Sequence, residues 1–171
     1  MRVKLASNVV YDPDTKGYIM LEVPQLPVSE LELEGEILKP RTTFHCSLVA
    51  ARKLSNGDEV SERRIVATVE KLLRVHHVKF EGIAPDIYVC RKPDLDGNQQ
   101  TTIIAGAKIL GFEELKEGLQ RELNMEISLP HVTLLKSSNS PYGIGVNSQS
   151  DLSKYCVRRD DLYWQVFRKN Q

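Results

Sequence analysis

Two short stretches carry residue types from which chemistry can be built. Residues 43–49 read Thr-Phe-His-Cys-Ser-Leu-Val and residues 129–136 read Leu-Pro-His-Val-Thr-Leu-Leu-Lys, so each holds a histidine followed two positions later by a hydroxyl residue. Both histidines lie in apolar, β-branched runs that read as strands. Side chains alternate faces along a strand, which pairs His45 with Ser47 and His131 with Thr133. Phe44, Cys46 and Leu48 then turn to the core behind one pair, and Val132 and Leu134 behind the other. A single strand histidine is most often structural. Here two of the chain's four histidines occupy matched contexts about half the chain apart, which points to two similar lobes brought face to face.

Two imidazoles across one cleft suit a reaction in which one group takes a proton while the other gives one. The ordinary histidine pKa is about 6.5, so such a pair can be held in opposite protonation states near neutral pH. The hydroxyls of Ser47 and Thr133 can donate hydrogen bonds to the non-bridging oxygens of a phosphate. Together these groups provide a metal-free, cofactor-free route to opening a phosphodiester, and no carboxylate-rich metal motif stands in the sequence.

The motifs His45-Cys46-Ser47 and Pro130-His131-Val132-Thr133-Leu134 resemble the paired His-x-Ser/Thr signature of the 2H phosphoesterase superfamily. Its members include bacterial 2′-5′ RNA ligase-like proteins and cyclic nucleotide phosphodiesterases. The resemblance follows the order strand, motif strand, helix, hairpin, helix, motif strand over most of residues 18–135. It implies an α+β fold of two pseudo-twofold-related lobes, with antiparallel sheets and outer helices around a central cleft. Carried over residue by residue, it makes His45 and His131 the catalytic acid and base, and Ser47 and Thr133 the phosphate ligands. The implied activity is hydrolysis of a nucleotide or RNA-terminal phosphodiester: a 2′,3′-cyclic phosphate, a 2′-5′ linkage or a cyclic oligonucleotide. With a ribose hydroxyl as the attacking group the same site would run as a ligase. The rival reading is a non-catalytic protein that holds a nucleotide or RNA end in the same cleft.

Other residues are candidates for substrate binding. Tyr142, Tyr163 and Trp164 have rings on which a base can stack, although an aromatic in a strand is more often core. Arg41 and Lys136 flank the two motifs and can hold a phosphate; their plainer reading is a solvated charge at a strand end. His76 and His77 are neighbours at the end of a helical pattern and share no face, so they stay outside the site.

The elements that must position these groups follow from periodicity. A first strand is expected over residues 18–23, then an exposed edge strand or extended linker over 29–38, where Glu30, Glu32, Glu34 and Glu36 alternate with Leu31 and Leu33. Ile65, Val66, Val69, Leu72 and Leu73 recur at helical spacing, as do Phe112, Leu115, Leu119 and Leu123. Residues 78–80 and 86–91 read as strands, the second forming a hairpin with 101–109. Residues 136–155, rich in serine, read as a mobile connector or a loop that closes over substrate. Residues 161–168 read as a last strand.

Basic and acidic residues balance at 23 each, so a long nucleic-acid duplex is not an expected partner, whereas a terminal phosphate needs only a local site. No stretch is suited to a signal peptide or a membrane span. Three widely spaced cysteines, without a CxxC pair, read as reduced thiols. The expectation is a cytoplasmic monomer in which residues 1–171 form a single domain of two lobes.

Overall fold

The structure is a computed structural model that describes residues 1–94, 96–127, 129–137 and 144–167. In chain order its elements are β1 (Val3–Ala6), β2 (Val9–Asp12), β3 (Tyr18–Val23), β4 (Leu31–Leu33), β5 (Glu36–Pro40), β6 (Phe44–Ala50), α1 (Ala51–Leu54), α2 (Glu59–Val75), β7 (Lys79–Pro93), β8 (Gln99–Leu110), α3 (Phe112–Leu123), β9 (His131–Ser137), α4 (Gln149–Tyr155) and β10 (Cys156–Arg158). A 3-10 turn (Asp160–Leu162) and the short α5 (Tyr163–Val166) follow. The protein is therefore α+β, as expected. The order of strand, motif strand, helix, hairpin, helix and motif strand is present, with β1 and β2 preceding it and the β4–β5 pair inserted before the first motif. No described helix is long and apolar enough to cross a membrane.

The chain forms two compact units. The first comprises Met1–Glu22, His45–Gly82 and Lys108–Pro130. Its strands lie in the order β1-β2-β3-β6, with β1–β2 and β2–β3 antiparallel. Helix α2 starts where Asp58 accepts a hydrogen bond from the Ser61 amide at 2.8 Å, and Glu59 and Glu62 place negative charge at its positive end. Ile65, Val69, Leu72 and Leu73 then bury one stripe of it. Helix α3 packs on α2 at Gly118, where a β-carbon would come within 2.7 Å of Leu72 Cδ2. A salt bridge of 3.2 Å between Lys71 and Glu122 joins the same two helices at the surface.

A buried carboxylate ties the helices of this unit to its strands. Glu62 is 6% exposed, and it accepts hydrogen bonds from the Tyr11 hydroxyl on β2 and from Arg52 Nε on α1, the latter at 3.1 Å. Arg52 also donates from Nη2 to the Pro13 carbonyl at 2.8 Å. Burial by itself would raise the Glu62 carboxyl, but the hydrogen bonds from Tyr11 and Arg52 and the Arg52 charge outweigh it and hold the group below the ordinary glutamate range. A carboxyl depressed on folding stabilises the protein above its unfolded pKa, and that contribution is lost as pH falls through the folded value. Glu62→Gln is thus expected to cost about 2 kcal/mol at neutral pH, the usual worth of hydrogen bonds to a charged group. Urea unfolding should show the gap to wild type closing as pH falls below the ordinary range of about 4.3. A gap constant with pH would remove the charge from the explanation.

The second unit comprises, within the described residues, Val23–Phe44, Ile83–Ala107 and the chain from His131 onward. Its strands lie in the order β4-β5-β9-β8-β7-β10, and the registers of β4–β5, β5–β9, β8–β9 and β7–β10 are all antiparallel. The acidic 29–38 stretch is a hairpin here, not a single edge strand. Glu34 and Gly35 both take positive φ, 52° and 83°, the backbone of a two-residue primed turn, and Leu31 and Leu38 face inward. The two strands expected over 78–80 and 86–91 are one continuous β7, in which Gly82 and Pro85 are carried within the strand without ending it.

The expected connector over 136–155 is structured wherever it is described. Ile144, Val146 and Leu152 pack with Cys90 and Ile104 in an apolar cluster, and the Ile144 amide donates to Thr102 Oγ1 at 3.4 Å. Helix α4 begins with two side-chain caps: Ser148 accepts from the Asp151 amide at 3.0 Å, and Asp151 accepts from the amide of Asn147, one residue before the cap, at 2.9 Å. Within the described residues, the strand expected over 161–168 is the 3-10 turn and α5 instead. Leu162 and Val166, four positions apart, are buried while Trp164 between them is 77% exposed, which is helical spacing.

The expectation of three reduced cysteines is also corrected. Cys90 and Cys156 are joined by a disulfide, and Cys46 is a buried free thiol. The two bonded residues stand directly opposite each other on β7 and β10. That register follows from tertiary pairing, and spacing along the sequence does not reveal it.

Candidate active site

Each unit holds one of the two motifs. In the first unit, β6 carries His45 and Ser47 half-buried between Phe44, Cys46, Leu48 and Val49, whose exposures run from 0 to 5%. In the second, β9 carries His131 and Thr133 half-buried between Pro130, Val132, Leu134 and Leu135. Over residues 44–50 and 130–136 the succession of buried and half-buried positions is identical: buried, half, buried, half, buried, buried, half. The histidine and hydroxyl of each motif thus occupy the accessible side of a strand whose other side is core. This is the alternation expected from the sequence.

The double apolar step in β9 has a structural cause. His131 lies opposite Gly106 of β8 and Thr133 opposite Ile104, but Leu135 lies opposite Ile103 and Lys136 opposite Thr102. One residue is therefore extra in β9, a bulge at Leu134 and Leu135. Strict alternation would turn Lys136 away from His131 and Thr133. With the bulge, the three stand opposite Gly106, Ile104 and Thr102, alternate positions of one strand, so they share a face.

Lys136 is flanked on its other side by β5, where Lys39 stands opposite it and Pro40 stands opposite Leu135. The Arg41 amide continues this pairing by donating to the Leu134 carbonyl at 3.1 Å. Burial holds the Arg41 guanidinium below its ordinary range. Burial, and after it the charge of Arg41, lowers Lys136 as well, so the two cations sit within each other's field. Arg41 and Lys136, singled out as motif flanks, are brought together with His131 and Thr133 in this unit. Lys39 was not singled out. Its alternation with Arg41 across Pro40 is the signal that could have found it.

The aromatic candidates stand otherwise. Tyr142 lies outside the described residues. Tyr163 and Trp164 lie on α5, with ring centroids 5.2 Å apart and nearly perpendicular, and Tyr163 also meets Phe167 at 4.9 Å. Their element is anchored by the Ser29 amide on the Val166 carbonyl, and through the preceding turn by Asp160 on the Ile87 amide. Trp164 is an open surface ring; Tyr163 is the packed partner that holds it. Among the described residues no group of three or more His, Cys, Asp or Glu side chains is placed to hold a metal ion. No protein-family model, no curated protein and no solved structure matches the chain.

Proposed function

We propose that the protein is a metal-independent phosphodiesterase of the 2H type, acting on a nucleotide or an RNA-terminal phosphodiester. On this reading the two units are pseudo-twofold-related lobes whose motif strands serve one phosphate. One histidine deprotonates the attacking water or ribose hydroxyl, and the other protonates the leaving ribose oxygen. Ser47 and Thr133 donate to the non-bridging oxygens, where charge builds in the transition state. Arg41 and Lys136 supply positive charge for the substrate, and Trp164 is an open ring for a base. The Cys90–Cys156 disulfide removes the cysteine argument for a cytoplasmic setting, because disulfides persist mainly in oxidising compartments.

The observation that carries the reading is the repeat itself: a histidine and a hydroxyl two residues apart, on the accessible side of a strand, once in each unit and with the same burial pattern. Binding alone needs no second histidine. Incubation with 2′,3′-cyclic mononucleotides, 2′-5′ dinucleotides and cyclic oligonucleotides, all in chelator, is expected to give turnover of at least one class. Retention of these ligands without turnover would instead favour a binding protein.

A further inference from the structure

We propose that Lys39, Arg41 and Lys136 form a second anion subsite, which takes a phosphate on the 5′ oxygen of the same nucleoside that carries the scissile diester. The inference rests on the reading of Thr133 as a ligand of the scissile phosphate. Its ground is the register of three strands in the second unit. Lys136 and Lys39 are directly opposed, so their side chains leave the same face of the β5–β9 pair. Arg41 follows two positions after Lys39 and returns to that face, where its charge reaches Lys136. The bulge in β9 makes this also the face of His131 and Thr133.

Three cations gathered this way work against the fold, because like charges opposed across a strand pair repel. Several other arginines, Arg52, Arg91, Arg158 and Arg159, each hold a carboxylate at 3.1 Å or less. Among the described residues neither Lys39 nor Arg41 has such a partner. An arginine partly withdrawn from water beside two lysines is a group arranged for an anion.

The spacing selects the anion. Thr133 and Lys136 stand opposite Ile104 and Thr102, two residues apart on the regular strand β8. They are thus displaced by about 7 Å along it. That is comparable with the span of one nucleoside, so a phosphate held at Thr133 through the 2′ and 3′ oxygens leaves the 5′ oxygen directed toward the cations. The 5′ phosphate can be a terminal monoester or the next linkage of an oligonucleotide, and both present the same oxygens.

Calorimetric titration with a nucleoside 3′-monophosphate and with the corresponding 3′,5′-bisphosphate tests the subsite without relying on turnover. The wild type is expected to bind the bisphosphate about tenfold or more tightly than the monophosphate. Lys39→Ala and Arg41→Ala should each bring the ratio toward one. Equal affinity of the wild type for both ligands, or an unchanged ratio in both variants, would overturn the subsite. A ratio that collapses in the variants, in a protein that turns over no phosphodiester, would keep the subsite and remove the catalytic reading. A dinucleotide ending in a 3′-phosphate distinguishes the two sources: binding as tight as the bisphosphate assigns the subsite to a chain linkage, and weaker binding assigns it to a terminal monoester.

Discussion

His45→Ala and His131→Ala should each lower turnover by about 10²- to 10⁴-fold on any phosphodiester that the wild type opens, the range over which positioned acids and bases contribute. Both histidines stand half-buried on strands whose neighbours are core, so removing an imidazole from the accessible side leaves the packing behind it in place. A matching thermal melt for each variant would show this. In acid–base catalysis by a pair the two groups act as one unit, and the double variant is therefore expected to be little worse than either single one. Multiplicative losses would mean that the two groups act in separate steps. Near-normal turnover by either single variant would end the proposed pairing.

The second large effect is expected at the hydroxyls. Ser47→Ala and Thr133→Val should each cost roughly 10²- to 10³-fold in turnover, as does the loss of one donor from an oxyanion site. Thr133→Val keeps the β-branched shape that suits β9, so a loss there is one of hydrogen bonding and not of strand formation. These donors do not titrate near neutral pH, and the shape of the pH profile should survive their removal even as its height falls. Full activity in both variants would take the hydroxyls out of the mechanism.

The parts legible in the sequence are those whose period is long or whose alternation is clean. Helices α2 and α3 each repeat their apolar stripe over more than two turns, so the pattern outlasts local exceptions such as the buried Glu62. The motif strands alternate from Phe44 to Leu48 and from Pro130 to Leu134, which is enough to put histidine and hydroxyl on one side. Where a segment is short, two periods fit it equally. Leu162, Trp164 and Val166 alternate like a strand, yet Leu162 and Val166 are also four apart, and their burial obeys the second relation. Helix α4 buries only Leu152, so its signature is the capping at Ser148 and Asp151 and not a stripe.

Other features depend on which strands meet. The bulge at Leu134 and Leu135 shows in the sequence only as two apolar residues in succession, and its effect on Lys136 appears once β8 supplies the register. The opposition of Lys39 to Lys136 and the bond between Cys90 and Cys156 have the same origin. Each joins residues far apart in the chain through a pairing that local propensity does not specify.

Two histidines in opposite protonation states leave a direct signature in the pH dependence of kcat/KM, measured in chelator on a substrate that the wild type opens. Acidification protonates the base and alkalinisation discharges the acid, so the expected profile is a bell with two limbs that belong to the pair. The residual activity of His45→Ala and His131→Ala should each lack one limb, a different one in each variant. A wild-type profile with a single limb, or a bell that persists unchanged in both variants, would contradict acid–base catalysis by His45 and His131.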